Sequence, residues 1–175
     1  RDPLAISNQV SDLVEHVLSA SDISRERVLG VGVSVAGLVE KSTGHVKFSP
    51  DFKWRDVRFR EMLEESLRLP VVINNCTRLA ALGELRYGAA QGVRNVFYVN
   101  VGYGIGSAIV TDGRIYEHNS EFGHIHVTSR PVQCHCGKAG CLEAVSSGHA
   151  IERAANEDDA PRGAEDWKTA KELAD

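Results

Sequence analysis

The chain has 175 residues, with 20 Lys and Arg against 24 Asp and Glu and a formal net charge of −4. Residues 1–150 hold 16 acids and 16 bases, so the acidic surplus lies in residues 151–175, which hold eight and four. A neutral body excludes the concentrated cationic face that duplex DNA recognition requires. The most basic run, Lys53, Arg55, Arg58 and Arg60 with Trp54 and Phe59 interleaved, is diluted by Asp56 and Glu61 and reads as a solvated helix start.

This length suits one large domain or two small lobes, able to bury roughly 70% of the unfolded surface. No apolar stretch approaches the ~20 residues that span a bilayer, and no basic-then-apolar signal segment opens the chain. A cytoplasmic protein without a membrane partner is expected. Three of the four cysteines, Cys134, Cys136 and Cys141, fall within eight residues while Cys76 stands alone, which suggests a metal rather than a disulfide framework.

Residues 4–19 set Ile6, Val10, Leu13, Val14, Val17 and Leu18 at helical intervals, predicting an amphipathic helix that packs on something. Residues 28–36 read as a strand with Leu29, Val31, Val33 and Val35 on one face. Turns at Ala36-Gly37 and Thr43-Gly44 precede a short strand near 45–48. A helix is expected over 57–68, stopped by Leu69-Pro70. Val71, Val72 and Ile73 form a buried strand that runs into Asn74-Asn75-Cys76-Thr77 and a strong helix. Strands at 95–101 and 105–111 are joined by the glycine turn Gly102-Tyr103-Gly104. The order α-β-β-α-β-α-β-β is mixed α/β, residues 156–166 read as an acidic linker before a short helix, and both ends read as cut. The expected division is a first lobe over 1–93, a second over 94–155 with the glycine hairpin and zinc loop, and the linker and helix over 156–175.

Cys134-His135-Cys136-Gly137-Lys138-Ala139-Gly140-Cys141 is a C-x-C-x4-C run whose glycines let the loop curl three thiolates toward one point. A fourth ligand must come from elsewhere: His124, ten residues upstream, is the first candidate, with His126 and His135 as the others. Three cysteines and one histidine form the closed set of a structural zinc site, with no position for an activated water. Glu121 and Glu143 flank the cluster. Paired carboxylates suit a polyhydroxylated ligand, although by composition alone the surface-acid reading is the favoured one.

The runs E-F-G-H (121–124), C-H-C-G-K-A-G-C-L-E (134–143) and S-S-G (146–148), preceded by S-P-D-F-K-W, L-P-V-V-I-N-N, L-A-A-L-G-E and G-Y-G-I-G-S-A-I-V, resemble the signature of the ROK family of repressors, open reading frames and sugar kinases. The resemblance covers about residues 1–155. It implies a two-lobed actin-like ATPase fold of the ribonuclease-H-like type, zinc held by His124, Cys134, Cys136 and Cys141, and sugar hydroxyls met by Asn75, Glu121, His124 and Glu143 near the glycine loop at Gly37. It also implies a homo-oligomer, commonly a dimer.

Departures from the kinase pattern bear on activity. Family kinases carry an E-N-D-A-N-like motif whose Asp is the general base; here Cys76 stands at that position, and a thiol of pKa ~8.5 replaces a carboxylate poorly. The N-terminal D-x-G-x-T phosphate loop is absent from the chain. The second phosphate loop survives as Gly102, Gly104 and Gly106, with Tyr103 where kinases place Thr. Between Gly113 and Glu121 the chain is several residues shorter than the family's loop, either trimmed or lacking residues of the natural protein. The resemblance and its departures together imply the sugar-binding part of a ROK transcriptional regulator, catalytically inactive, without ATP or Mg2+, and reaching DNA only through a helix-turn-helix domain outside this chain. An ATP-dependent, glucokinase-like sugar kinase is the alternative. A zinc-stapled domain serving only dimer contacts is the third reading.

Overall fold

A computed structural model describes residues 1–116 and 121–155. The linker and short helix expected over 156–175 lie outside the described residues. Those described form two compact units, 1–98 with 108–116, and 99–107 with 121–155.

In the first unit, α1 (Pro3–Ser19) starts where Asp2 accepts the Leu4 N–H at 3.2 Å and Pro occupies the first helical turn, a position that needs no intrahelical donor. α1 packs on α2 (Phe59–Leu67) through small residues: Ser7 and Ser11 are buried, and Ser11 Oγ lies 2.7 Å from Ser66 Oγ. Only part of the expected apolar stripe faces the core. Ile6, Val10 and Val14 pack there, whereas Leu13 and Val17 stay exposed along a shallow groove of ≈ 530 Å³ shared with residues 28 and 30–34.

β1 (Val31–Val35) pairs in parallel with β5 (Val71–Asn75), Val31 opposite Val71 and Val35 opposite Asn75. β1 is shorter than the expected strand over 28–36, and Leu29, expected on its apolar face, is 95% exposed before the strand begins. Three short strands, β2 (Leu38–Glu40), β3 (His45–Ser49) and β4 (Trp54–Val57), form an antiparallel meander. Neither β2 nor β4 is legible in the local pattern. The basic run expected to start a helix is instead β4 followed by α2. Trp54 drives this: its ring is buried between Phe52 and Phe59, and its Nε1 donates to the Arg1 carbonyl at 2.7 Å.

The core joins Val35, Val39, Val46, Trp54, Phe59, Leu63, Leu67, Val71 and Ile73. Glu64 ties α2 to β5, accepting the Val71 N–H at 3.1 Å and Arg60 Nε at 3.0 Å; the backbone donor first, then the guanidinium, hold its carboxyl below the usual range. β5 delivers the chain to α3 (Cys76–Tyr87). Further on, β6 (Val96–Val101), β7 (Ile105–Thr111) and β8 (Arg114–Ile115) form an antiparallel sheet in that order, the first two joined by the expected glycine turn. Beyond it lie a single 3₁₀ turn (Phe122–His124), α4 (Leu142–Ser146) and α5 (Gly148–Ala155), two helices the sequence pattern did not suggest. Among the described residues no helix is long and apolar enough to cross a membrane.

Candidate metal and ligand sites

At the end of β5, Asn75 is the N-cap of α3: its Oδ1 accepts the N–H groups of Thr77 at 2.9 Å and Arg78 at 3.1 Å. Its Nδ2 donates to the Gly37 carbonyl at 2.7 Å, so two residues expected at the sugar site are joined directly. Gly37 sits at φ +119, and a Cβ there would overlap the Phe48 carbonyl, which explains why the turn after β1 carries glycine. Cys76 follows as the first residue of α3, half-buried and free.

In the second unit, residues 125–142 fold back as an irregular ribbon. Val127 N–H donates to the Gly140 carbonyl at 2.9 Å, Leu142 N–H to Ile125 at 3.0 Å, and Cys134 N–H to Lys138 at 2.8 Å around a turn closed by Gly137 N–H on the Cys134 carbonyl. This hydrogen bonding returns Cys141 to the neighbourhood of Cys134 and Cys136. The upstream 3₁₀ turn supplies His124; a Cβ at Gly123 would overlap the Ile105 carbonyl, so only glycine lets that turn lie against β7.

The four expected donors meet. One ligand atom each from His124, Cys134, Cys136 and Cys141 lies within 4.8 Å of the other three, with Cys136 Sγ to Cys141 Sγ at 3.8 Å and Cys134 Sγ to His124 Nδ1 at 3.6 Å. A tetrahedron with metal–sulfur bonds of ~2.3 Å and a metal–nitrogen bond of ~2.0 Å has edges of about 3.5–3.8 Å. These two separations match such edges, and three thiols with one imidazole suit zinc chemically. His126 and His135, the other histidine candidates, are not in the set. Burial, opposed by the Cys136 backbone N–H and reinforced by the neighbouring thiols, pushes Cys134 up to about 12, and burial likewise raises Cys141. Without a cation Cys134 and Cys141 resist ionisation; a divalent ion favours their thiolates.

Glu143, in the first turn of α4, stands beside the cluster. Its Oε2 accepts the Ile105 N–H at 2.8 Å, and its Oε1 lies 3.6 Å from Cys134 Sγ and 3.9 Å from His124 Nδ1. Glu121 Oε2 lies 3.9 Å from His124 Nε2, on the other edge of the same ring. His124 is thus flanked by both carboxylates. The glycine turn closes with Gly102 N–H on the Gly104 carbonyl at 2.9 Å, and Tyr103 projects from it, 62% exposed. Sequence reasoning did not anticipate that Glu143 is bonded to the strand after that turn.

Comparison with known families matches residues 3–174 to the ROK family. The chain belongs to the ROK family. It is 36% identical over 157 residues to a glucokinase of Halalkalibacterium halodurans, covering 87% of this chain and 48% of that relative. It is also 36% identical over 143 residues to a putative xylose repressor of a Caldicellulosiruptor species, covering 79% and 36%. The ROK chain thus spans about half or less of the length of these curated relatives. Among solved structures it resembles a ROK family glucokinase from Streptomyces griseus in complex with glucose and AMPPNP, with a TM-score of 0.75 and 31% identity over 88% of this chain and 51% of that one. A ROK family transcriptional regulator, a homologue of the E. coli MLC protein, superposes with a TM-score of 0.72 and 30% identity over 84% and 38%. Enzymes and repressors of the family stand at nearly equal distance from this ROK chain, so similarity alone does not divide the two activities.

Proposed function

We propose that this ROK chain is the sugar-sensing part of a transcriptional regulator: a zinc-stabilised, catalytically inactive body with the two-lobed actin-like fold, found in the cytoplasm and acting as a homodimer. Cys76 carries the reading. At the first position of α3, directly after the Asn75 cap, a kinase of this family needs a carboxylate to take the proton from the attacking sugar hydroxyl, and a cysteine does not supply one. The glycine turn supports the same reading. The Ile105 N–H beside it already holds the Glu143 carboxylate, and Tyr103 adds bulk where a transferring phosphate would need room.

In this proposal His124, Cys134, Cys136 and Cys141 hold one zinc. The ion supplies no chemistry to a substrate, since four protein ligands close its coordination, and acts by stapling the ribbon that carries Glu143. Glu121, His124 and Glu143, gathered in the second unit, are the acceptors for sugar hydroxyls in this reading; Asn75 and Gly37, bonded to each other in the first unit, are its further candidate ligand residues. Carboxylates accept hydroxyl hydrogen bonds at twice the strength of neutral acceptors, which suits a neutral polyol. Sugar binding regulates only through a difference in affinity between two states of the whole protein. DNA contact belongs to a domain outside this chain, because residues 1–150 carry equal numbers of acids and bases. Isothermal titration of the zinc-loaded protein against pentoses, hexoses and N-acetylhexosamines tests the reading: saturable binding to one class is expected, and silence across the panel refutes it.

A second reading, an ATP-dependent sugar kinase, draws on the similarity to glucokinases. ADP release measured in a coupled assay with the same sugars separates the two. The regulator shows none above background, and turnover gained only by Cys76→Asp would mean that the base alone had been lost.

A further inference from the structure

Three sets of contacts fasten the glycine turn 102–104 to the metal-ligand ribbon. Glu143 reaches both: Oε2 holds the Ile105 N–H at 2.8 Å, while Oε1 lies 3.6 Å from Cys134 Sγ. The first amides of α5, which have no intrahelical acceptor, are satisfied by the turn, with Gly148 N–H on the Gly102 carbonyl at 2.7 Å and His149 N–H on the Tyr103 carbonyl at 3.1 Å. Above these bonds the rings of Tyr103 and His149 pack at 5.1 Å between centroids, and His149 packs in turn at 4.8 Å on His135, which sits between two of the sulfur donors. Cys141 is both a donor of the cluster and the N-cap residue of α4, so whatever holds its sulfur also fixes where α4 begins and where Glu143, two residues on, can reach.

We propose that occupancy of the metal cluster sets the order of the glycine turn, with Glu143 as the positioning residue that conveys it. A metal ion anchors Cys141 and the start of α4; α4 presents the Glu143 carboxylate to Ile105; the amides of α5 then close on the turn carbonyls. When the metal leaves, the ribbon loses its cross-link, Glu143 loses its fixed origin, and the turn exchanges with open conformations although none of its residues is a ligand. The inference rests on the metal site of the proposed function and not on the sugar or regulator reading.

Amide hydrogen exchange reads this directly, because protection reports local opening. Peptides covering 102–106 should be protected in the zinc-loaded protein, exchange about tenfold faster after chelation, and regain protection when zinc alone is restored, while peptides over 71–87 serve as the unaffected control. Glu143→Ala should give the same fast exchange while metal analysis still finds zinc, and Glu143→Gln, which keeps an oxygen acceptor for the Ile105 N–H, should restore protection. Unchanged exchange over 102–106 on chelation, or a protected turn in Glu143→Ala, overturns the proposal. If Glu143→Ala does not fold, the chelation and reloading cycle on the unaltered chain decides alone. If the protein holds no zinc at all, metal analysis reports that separately, and the Glu143→Ala and Glu143→Gln comparison still tests the clamp.

Discussion

Asn75 Nδ2 donates to the Gly37 carbonyl at 2.7 Å while Oδ1 of the same amide caps α3. One side chain therefore fixes the start of a helix and the turn after the neighbouring parallel strand. Asn75→Ala should lose about 1–2 kcal/mol, the cost of a lost N-cap together with an unpaired carbonyl. Asn75→Ser keeps a capping oxygen but cannot reach Gly37, and should fall between. Denaturation midpoints of the three proteins should order as wild type, Ser, Ala.

Gly123 lies against the Ile105 carbonyl, where a Cβ has no room. Gly123→Ala should destabilise the second unit by about 1–3 kcal/mol through overpacking and pull His124 away from the sulfurs. Thermal melting should show the loss, with weakened zinc retention against a competing chelator; wild-type retention would refute the role assigned to this turn.

Metal analysis should find close to one zinc per chain. Cys136→Ser removes a donor whose sulfur lies 3.8 Å from Cys141 Sγ, and should abolish stoichiometric binding and lower the melting temperature together, since site formation and folding are coupled. His126→Ala and His135→Ala should keep the metal, because neither belongs to the donor set.

The sign of the pH dependence reports occupancy. In the metal-free chain Cys134 titrates near 12 in the fold against an ordinary value of 9, so the folded state keeps a proton that the unfolded chain has lost between those values. Its stabilising effect is complete below pH 9 and disappears as pH rises toward 12. A bound metal reverses this, because thiolates are held ionised and protons compete for them, so stability falls as pH falls. Chelated protein should lose stability between pH 9 and 12, zinc-loaded protein should be the more acid-sensitive of the two, and identical melting curves for the two across pH would count against metal binding.

The cysteine cluster, with His124 as first candidate for the fourth donor, was readable from the chain because its parts are local. Three cysteines within eight residues and a histidine ten residues upstream need only a curled ribbon to meet. The helices α1, α2 and α3 were readable for a similar reason: their apolar spacing and end signals act over a few residues. The short strands β2 and β4 were not, since pairing with β3, rather than their own composition, makes them strands, and Trp54 chooses burial over the charged run around it.

By itself, then, the amino-acid sequence determined the α/β class, the neutral body, the cysteine cluster and the identity of Cys76 after Asn75, all properties of composition or close spacing. The tertiary structure alone decided that His124 rather than His126 or His135 joins the sulfurs, that Asn75 bonds Gly37, 38 positions away along the chain, and that Glu143 bonds Ile105. Those choices turn on where separate strands and helices bring their ends, and hydrogen-bond geometry is satisfied or refused over tenths of an ångström that no spacing along the chain encodes.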